Sequence, residues 1–186
     1  MVGLLIGIGI TGTVILLIIN LADLKIELSE NYEVPSFLFW SLAFIPAAFM
    51  EEVAFRLYPF LKLNKAVGLR LTQVVLAVLF ALYHVGEGFI ISVFVGPGVW
   101  AFVYGMAAVY SIGIALPTGL HFGANFVLAS FGDKQGIEPI WIIHYVKEAT
   151  PEMMAYTESV GTIFQLILLA VAVFLMERYI SSHRTS

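Results

Sequence analysis

No cysteine occurs in the 186 residues, which excludes a disulfide framework, a thiolate nucleophile and a Cys-ligated metal or cluster. Charge is nearly as scarce. Asp, Glu, Lys and Arg together make up 12% of the chain, about half the soluble average of roughly 25%. Only 9 of the residues are Lys or Arg, they form no run, and the net charge is −4, so there is no basic surface for nucleic acid. What fills the chain instead is apolar: 60% of the residues are hydrophobic. That composition describes a polytopic membrane protein in a single membrane domain, residues 1–186. The first apolar run has no basic n-region and no small-residue cleavage site, so it reads as a retained helix rather than a signal peptide.

Apolar segments long enough to cross a bilayer, about 20 residues at 1.5 Å each, alternate with short polar connections. The first runs from Val2 to Leu21, and an acidic connection, Asp23 to Glu33, follows. Pro35 suits the first turn of a second helix, Ser36 to Leu61. Lys62, Lys65 and Arg70 form the one short loop with a basic excess, which the positive-inside rule assigns to the cytoplasm. Leu69 to Val85 returns outward, and Gly86-Glu87-Gly88 then interrupts the pattern. Phe89 to Val95 is too short to span and reads as re-entrant or interfacial, ended by Gly96-Pro97-Gly98. Val99 to Ala115 and Pro117 to Phe131 are the fourth and fifth spans. Ile137 to Val146, with His144, reads as interfacial, and Lys147 to Glu158 as an external polar loop. Val160 to Met176 is the last span, with Arg178, His183 and Arg184 at its cytoplasmic end. The expected fold is all-α: a membrane helix bundle of about six spans with one or two short re-entrant or interfacial helices. Gly3, Gly7, Gly9 and Gly12 have the small-residue spacing of close helix packing.

Against this background the ionisable residues inside apolar runs stand out, because each costs about 2.5–3.5 kcal/mol near a bilayer centre on insertion scales. Glu51, Glu52 and Arg56 fall within six positions. Glu52 and Arg56 are four apart, share a helical face and can pair. Glu51 is rotated about 100° from Glu52 and about 140° from Arg56, off the face of that pair, where it can serve as a general base. His84 shares a face with Phe80, and His121 with Asn125, again four apart. Taken singly, each pair reads as a structural hydrogen bond between helices, worth roughly 0.6–2 kcal/mol. Together, a carboxylate, two imidazoles and a carboxamide on three helices supply a base, proton donors and an amide for an oxyanion.

Other intramembrane chemistries lack their residues. Neither Ser92 nor Ser111 sits in a nucleophile elbow, Asp23 and Asp133 both fall in connections, and His-Glu-x-x-His is absent. In order and on three apolar segments, Glu51-Glu52-x-x-x-Arg56, Phe80-x-x-x-His84 and His121-x-x-x-Asn125 resemble the three motifs of the CAAX protease and bacteriocin-processing (CPBP, or Abi) family of intramembrane proteases. The resemblance covers residues 36–131 as a catalytic core.

It implies an endopeptidase, similar to the CAAX prenyl type, that hydrolyses a membrane-associated peptide or prenylated protein. By resemblance Glu51 activates water, His84 assists, His121 and Asn125 hold the oxyanion, and Glu52–Arg56 is a structural ion pair. No cofactor is expected, since Asn is a poor zinc ligand; a metal-dependent alternative would place zinc on Glu51, His84 and His121. The partners implied are the lipid bilayer and a peptide or lipidated substrate, in a prokaryotic plasma membrane with both termini cytoplasmic. The alternative function is non-proteolytic, as a binding, immunity or scaffold protein of the same family. A proton-relaying transporter ranks last for want of paired inverted repeats.

Overall fold

The computed structural model describes residues 1–85, 91–132 and 137–183. Among these residues six α-helices follow one another: α1 (Val2–Leu21), α2 (Val34–Glu52), α3 (Tyr58–His84), α4 (Ile91–Ser111), α5 (Ala115–Ser130) and α6 (Pro151–His183). One turn of π-helix, Val53–Leu57, joins α2 to α3, and two short strands, β1 (Leu24–Leu28) and β2 (Trp141–Tyr145), lie in the connections. The class is helical, as the apolar runs require. Three helical stretches, Val2–Leu21, Val34–His84 and Pro151–His183, are long and apolar enough to cross a membrane. Large apolar side chains such as Phe39 and Phe174 point outward from them, an arrangement suited to lipid rather than water.

The stretch Val34–His84, at 51 residues, would be roughly 75 Å long as one rod, more than twice a bilayer's hydrocarbon thickness. It is not one rod. Gly68 adopts φ 79° and ψ 168°, a backbone conformation open only to glycine, and breaks α3 there. The basic loop expected at 62–70 is therefore helical on both sides of a single-residue hinge. Other boundaries also move. α4 runs unbroken through Pro97, because a helix surrounded by apolar partners tolerates the lost hydrogen bond, so Gly96-Pro97-Gly98 is not a terminus. α6 begins at Pro151 rather than near Val160, with Thr150 Oγ1 accepting from the Met153 amide across the first turn. The proposed interruption at Gly86-Glu87-Gly88, and Phe89 and Ile90 after it, lie outside the described residues.

The chain packs as two compact units. In the first, Met1–Phe49 with Thr118–Gly161, α1 lies against α5 through glycine. A Cβ on Gly7 would strike the Leu120 carbonyl, and one on Gly123 would strike the Leu4 carbonyl and, at 3.0 Å, the Ile8 amide. Gly119 meets Leu4 and Gly3 in the same way, so the two backbones approach closely, as small residues allow in membranes. Gly9 and Gly12 have open space beside them and take no part in this contact, a correction to the four-glycine pattern. The segments expected to be a loop and an interfacial helix pair instead as an antiparallel ribbon, Leu24 opposite Tyr145 through Leu28 opposite Trp141. Leu24–Leu28 alternates apolar and charged side chains, and Trp141–Tyr145 is rich in aromatic and β-branched ones, patterns that suit a strand better than a helix of this length. His144 Nε2 lies 3.0 Å from Glu27 Oε1 across the ribbon.

In the second unit, Met50–Pro117 with Thr162–Ser186, α3 and α4 pack around a core of Phe60, Leu69, Leu76, Phe102, Met106 and Met176. Gln73 is fully enclosed there, filling the space that Gly105 leaves and donating to Met106 Sδ at 3.1 Å. An exposed Arg70–Glu177 bridge ties α3 to α6.

These contacts separate two kinds of glycine. Gly123→Val should lower the thermal unfolding midpoint in detergent, by the 1–3 kcal/mol typical of overpacking, while Gly12→Ala should leave it unchanged or raise it. Thermal unfolding of the two purified variants, monitored by circular dichroism, checks the contrast.

Candidate active site

Pro59 has no amide hydrogen to donate to the Phe55 carbonyl four residues earlier, and its ring would press on that oxygen in a regular helix. The chain answers with the widened turn Val53–Leu57, and such π turns recur at functional sites. This turn follows directly on the paired glutamates and carries Arg56. Glu52 is 0% exposed and Arg56 is 3% exposed, with Arg56 Nη1 3.4 Å from Glu52 Oε1. Nη2 donates to the Ala101 carbonyl of α4 at 3.2 Å.

Three rings enclose the guanidinium: Phe80 at 4.5 Å from its centre, Phe55 and Tyr104 each at 5.5 Å. A cation over aromatic faces gains up to about 2 kcal/mol when desolvated, which offsets part of the cost of burying it. Phe80 was legible in the sequence only as the residue below His84. Tyr104, Phe55 and Ala101 were not singled out; an aromatic hydroxyl deep in an apolar run was the available signal for Tyr104.

Glu51 leads away from this pair toward His84. Glu51 lies seventeen residues before the Gly68 hinge and His84 sixteen after it, so the returning helix brings them to the same level. His84 Nε2 is 4.0 Å from Glu51 Oε2, and the two side chains are 30% and 22% exposed. His84 Nδ1 donates to the Phe80 carbonyl at 2.8 Å; a carbonyl can only accept, so this nitrogen carries the hydrogen. In the neutral ring Nε2 therefore presents its lone pair toward Glu51. At 4.0 Å the two are too far apart for a direct hydrogen bond and well spaced for one water to bridge them.

His121 and Asn125 belong to the other unit, one turn apart on α5, with His121 buried at 4% exposure and Asn125 half-buried. The structure thus brings Glu51 to His84 and Glu52 to Arg56, and sets His121 beside Asn125. Among the described residues, no group of three or more His, Cys, Asp or Glu side chains is arranged to hold a metal ion.

The cage makes the ion pair a folding element. Glu52→Ala and Arg56→Ala should each cost about 3–5 kcal/mol, because the remaining charge stays buried without its partner. Arg56→Lys should not rescue, since an ammonium cannot reach Glu52 and the Ala101 carbonyl together while stacking on Phe80. The yield of monodisperse protein in detergent measures all three; a normal yield with lost turnover would instead make the pair catalytic.

A family model described as type II CAAX prenyl endopeptidase Rce1-like matches residues 33–127. No curated protein and no solved structure matches the chain.

Proposed function

The chain belongs to the Rce1-like family of type II CAAX prenyl endopeptidases, intramembrane proteases, and from that premise we propose that it cleaves a membrane-associated peptide or prenylated protein through water activated by Glu51. The observation that carries this reading is the 4.0 Å gap between Glu51 Oε2 and His84 Nε2, with the imidazole held by Phe80 so that its lone pair faces the gap. A water there donates one hydrogen to each, leaving an oxygen lone pair for the scissile carbonyl.

As that oxygen bonds to the carbonyl carbon, Glu51 takes the water's proton. His121 and Asn125 then donate hydrogen bonds to the developing oxyanion, the interaction worth most in acyl transfer. Collapse of the tetrahedral intermediate breaks the C–N bond, and the proton held by Glu51 passes to the leaving amine. The metal-dependent alternative, with Glu51, His84 and His121 as ligands, would replace this proton acceptor with a Lewis acid. In the bilayer, we place six spans with both termini cytoplasmic. Lys62 and Lys65 beside the Gly68 hinge support that orientation.

Glu51→Gln keeps shape and loses the acceptor, so turnover per folded molecule in liposomes should vanish while substrate binding persists. His84→Ala should fall close to it. Asn125→Ala should lose about 10²–10³ in turnover, the usual effect of one oxyanion donor. A Glu51→Gln protein cleaving at the parent rate would remove the enzyme reading and leave a binding protein. Activity should also survive chelators; loss on chelation, restored by stoichiometric zinc, would favour the metal-dependent alternative.

A further inference from the structure

Among the described residues the ribbon of β1 and β2 is a sheet of two strands, so each strand has an outer edge that no third strand covers. The register tells which backbone groups face that edge. The Ser29 amide donates to the Ile140 carbonyl at 2.9 Å and the Val146 amide to the Asp23 carbonyl at 3.4 Å. In an antiparallel pair such bonds recur at every second residue, so Lys25 and Glu27 turn their backbone groups toward β2 while Leu24, Ile26 and Leu28 turn theirs outward. The β1 edge is also the accessible one. Lys25, Ile26, Glu27 and Leu28 are all exposed, whereas β2 is drawn toward α6 by Tyr145, whose hydroxyl donates to Thr157 Oγ1 at 2.9 Å.

An exposed edge is a template for a further strand unless its side chains forbid one. On one face of the ribbon, Leu24, Ile26 and Leu28 line up with Tyr145, Ile143 and Trp141. On the other lie Lys25 and Glu27, one charge of each sign, with Glu27 Oε1 3.0 Å from His144 Nε2. A strand charged with one sign only would meet a like charge at one of these two positions. The strand that fits carries opposite charges two residues apart, with apolar residues between and beside them.

β1 is itself such a strand. When two copies run antiparallel about Ile26, Ile26 faces Ile26 and Leu24 faces Leu28, all with outward backbone groups, and Lys25 falls opposite Glu27 in both directions. Other registers fail. A slip of one residue opposes outward groups to inward ones, and centring on Lys25 or on Glu27 sets like charges face to face.

We propose that the β1 edge joins a second copy of this chain in the Ile26-centred register, giving a four-stranded antiparallel sheet in the order β2-β1-β1-β2. Its three hydrogen-bonded pairs, Leu24–Leu28, Ile26–Ile26 and Leu28–Leu24, supply about six N–H···O bonds. The two-fold axis stands perpendicular to the sheet, so both copies keep their apolar faces on the same side. The ribbon follows the end of α1 and precedes α6, at the level where Trp141 and Tyr145 suit a membrane interface. With the apolar face on the bilayer, the axis lies along the membrane normal and both chains span in the same direction. The pairing does not depend on the protease reading.

The chain has no cysteine, so a single introduced one reports the register. Residues opposed in a hydrogen-bonded pair have Cα atoms about 5.5 Å apart, within disulfide reach. The full chain carrying Ile26→Cys, reconstituted in liposomes and oxidised with copper phenanthroline, should form a cross-linked dimer. The yield should be at least fivefold above that of Leu28→Cys, whose two copies stand four residues apart along the strands, about 14 Å. In the Ile26→Cys chain, Glu27→Lys should lower the yield at least fivefold, and Lys25→Glu added to it should restore the dimer. Ile26→Pro removes only an outward N–H, so it should abolish the dimer seen by chemical cross-linking in liposomes and leave the circular dichroism spectrum unchanged. Equal yields from Ile26→Cys and Leu28→Cys, no dimer from either, or a charge swap that fails to restore it would overturn the proposal. If the chain stays monomeric and instead binds a peptide of alternating valine and lysine, the edge serves a cationic strand and the self-pairing falls.

Discussion

The buried Glu52–Arg56 pair is the constraint on which the candidate site depends. An arginine and a glutamate, each at most 3% exposed, are tolerable inside an apolar bundle only if their hydrogen-bonding capacity and charge are met locally. That requirement recruits three helical segments: Glu52 from the end of α2, Phe80 from the returning half of α3, and Tyr104 with the Ala101 carbonyl from α4. Since each contact has a short range, satisfying the guanidinium fixes how these segments lie against one another. The geometry of Glu51 and His84 is inherited from that arrangement, because Glu51 adjoins Glu52 in the chain and His84 hangs from the carbonyl of Phe80.

Two backbone devices serve the same end. The π turn at Val53–Leu57, next to Pro59, lets Arg56 meet Glu52 and the three rings without the proline ring colliding with the Phe55 carbonyl. The positive φ of Gly68 reverses the chain at nearly equal distances from Glu51 and His84, so that residues 33 apart in sequence become neighbours. Both are local departures from regular helix, and both cost stability that the cage and the α3–α4 core return. In the other unit the equivalent work is done by subtraction. Gly7, Gly119 and Gly123 remove side chains where α1 crosses α5, giving His121 and Asn125 a closely packed support.

Much of this was legible in the residues themselves. Apolar run length and the cost of charge in lipid are properties of composition, so the helical membrane class and the ion pair at four-residue spacing followed from the sequence, as did the resemblance to a protease family. Helix ends and the ribbon were less legible. Whether Pro97 stops a helix, or Trp141–Tyr145 pairs with Leu24–Leu28, depends on neighbours more than a hundred residues away in the ribbon's case, and local propensity carries no trace of them.

The sequence by itself determined that acidic, basic and imidazole groups had to lie within apolar helices, and which of them shared a helical face. Only the tertiary structure decided that Phe55 and Tyr104 would join Phe80 around Arg56 and that His84 would turn Nε2 toward Glu51. The physical reason is one of range: helical periodicity orders residues within a turn or two of each other, whereas a cation–ring contact or an imidazole's orientation is set by side chains that meet only when separate helices pack.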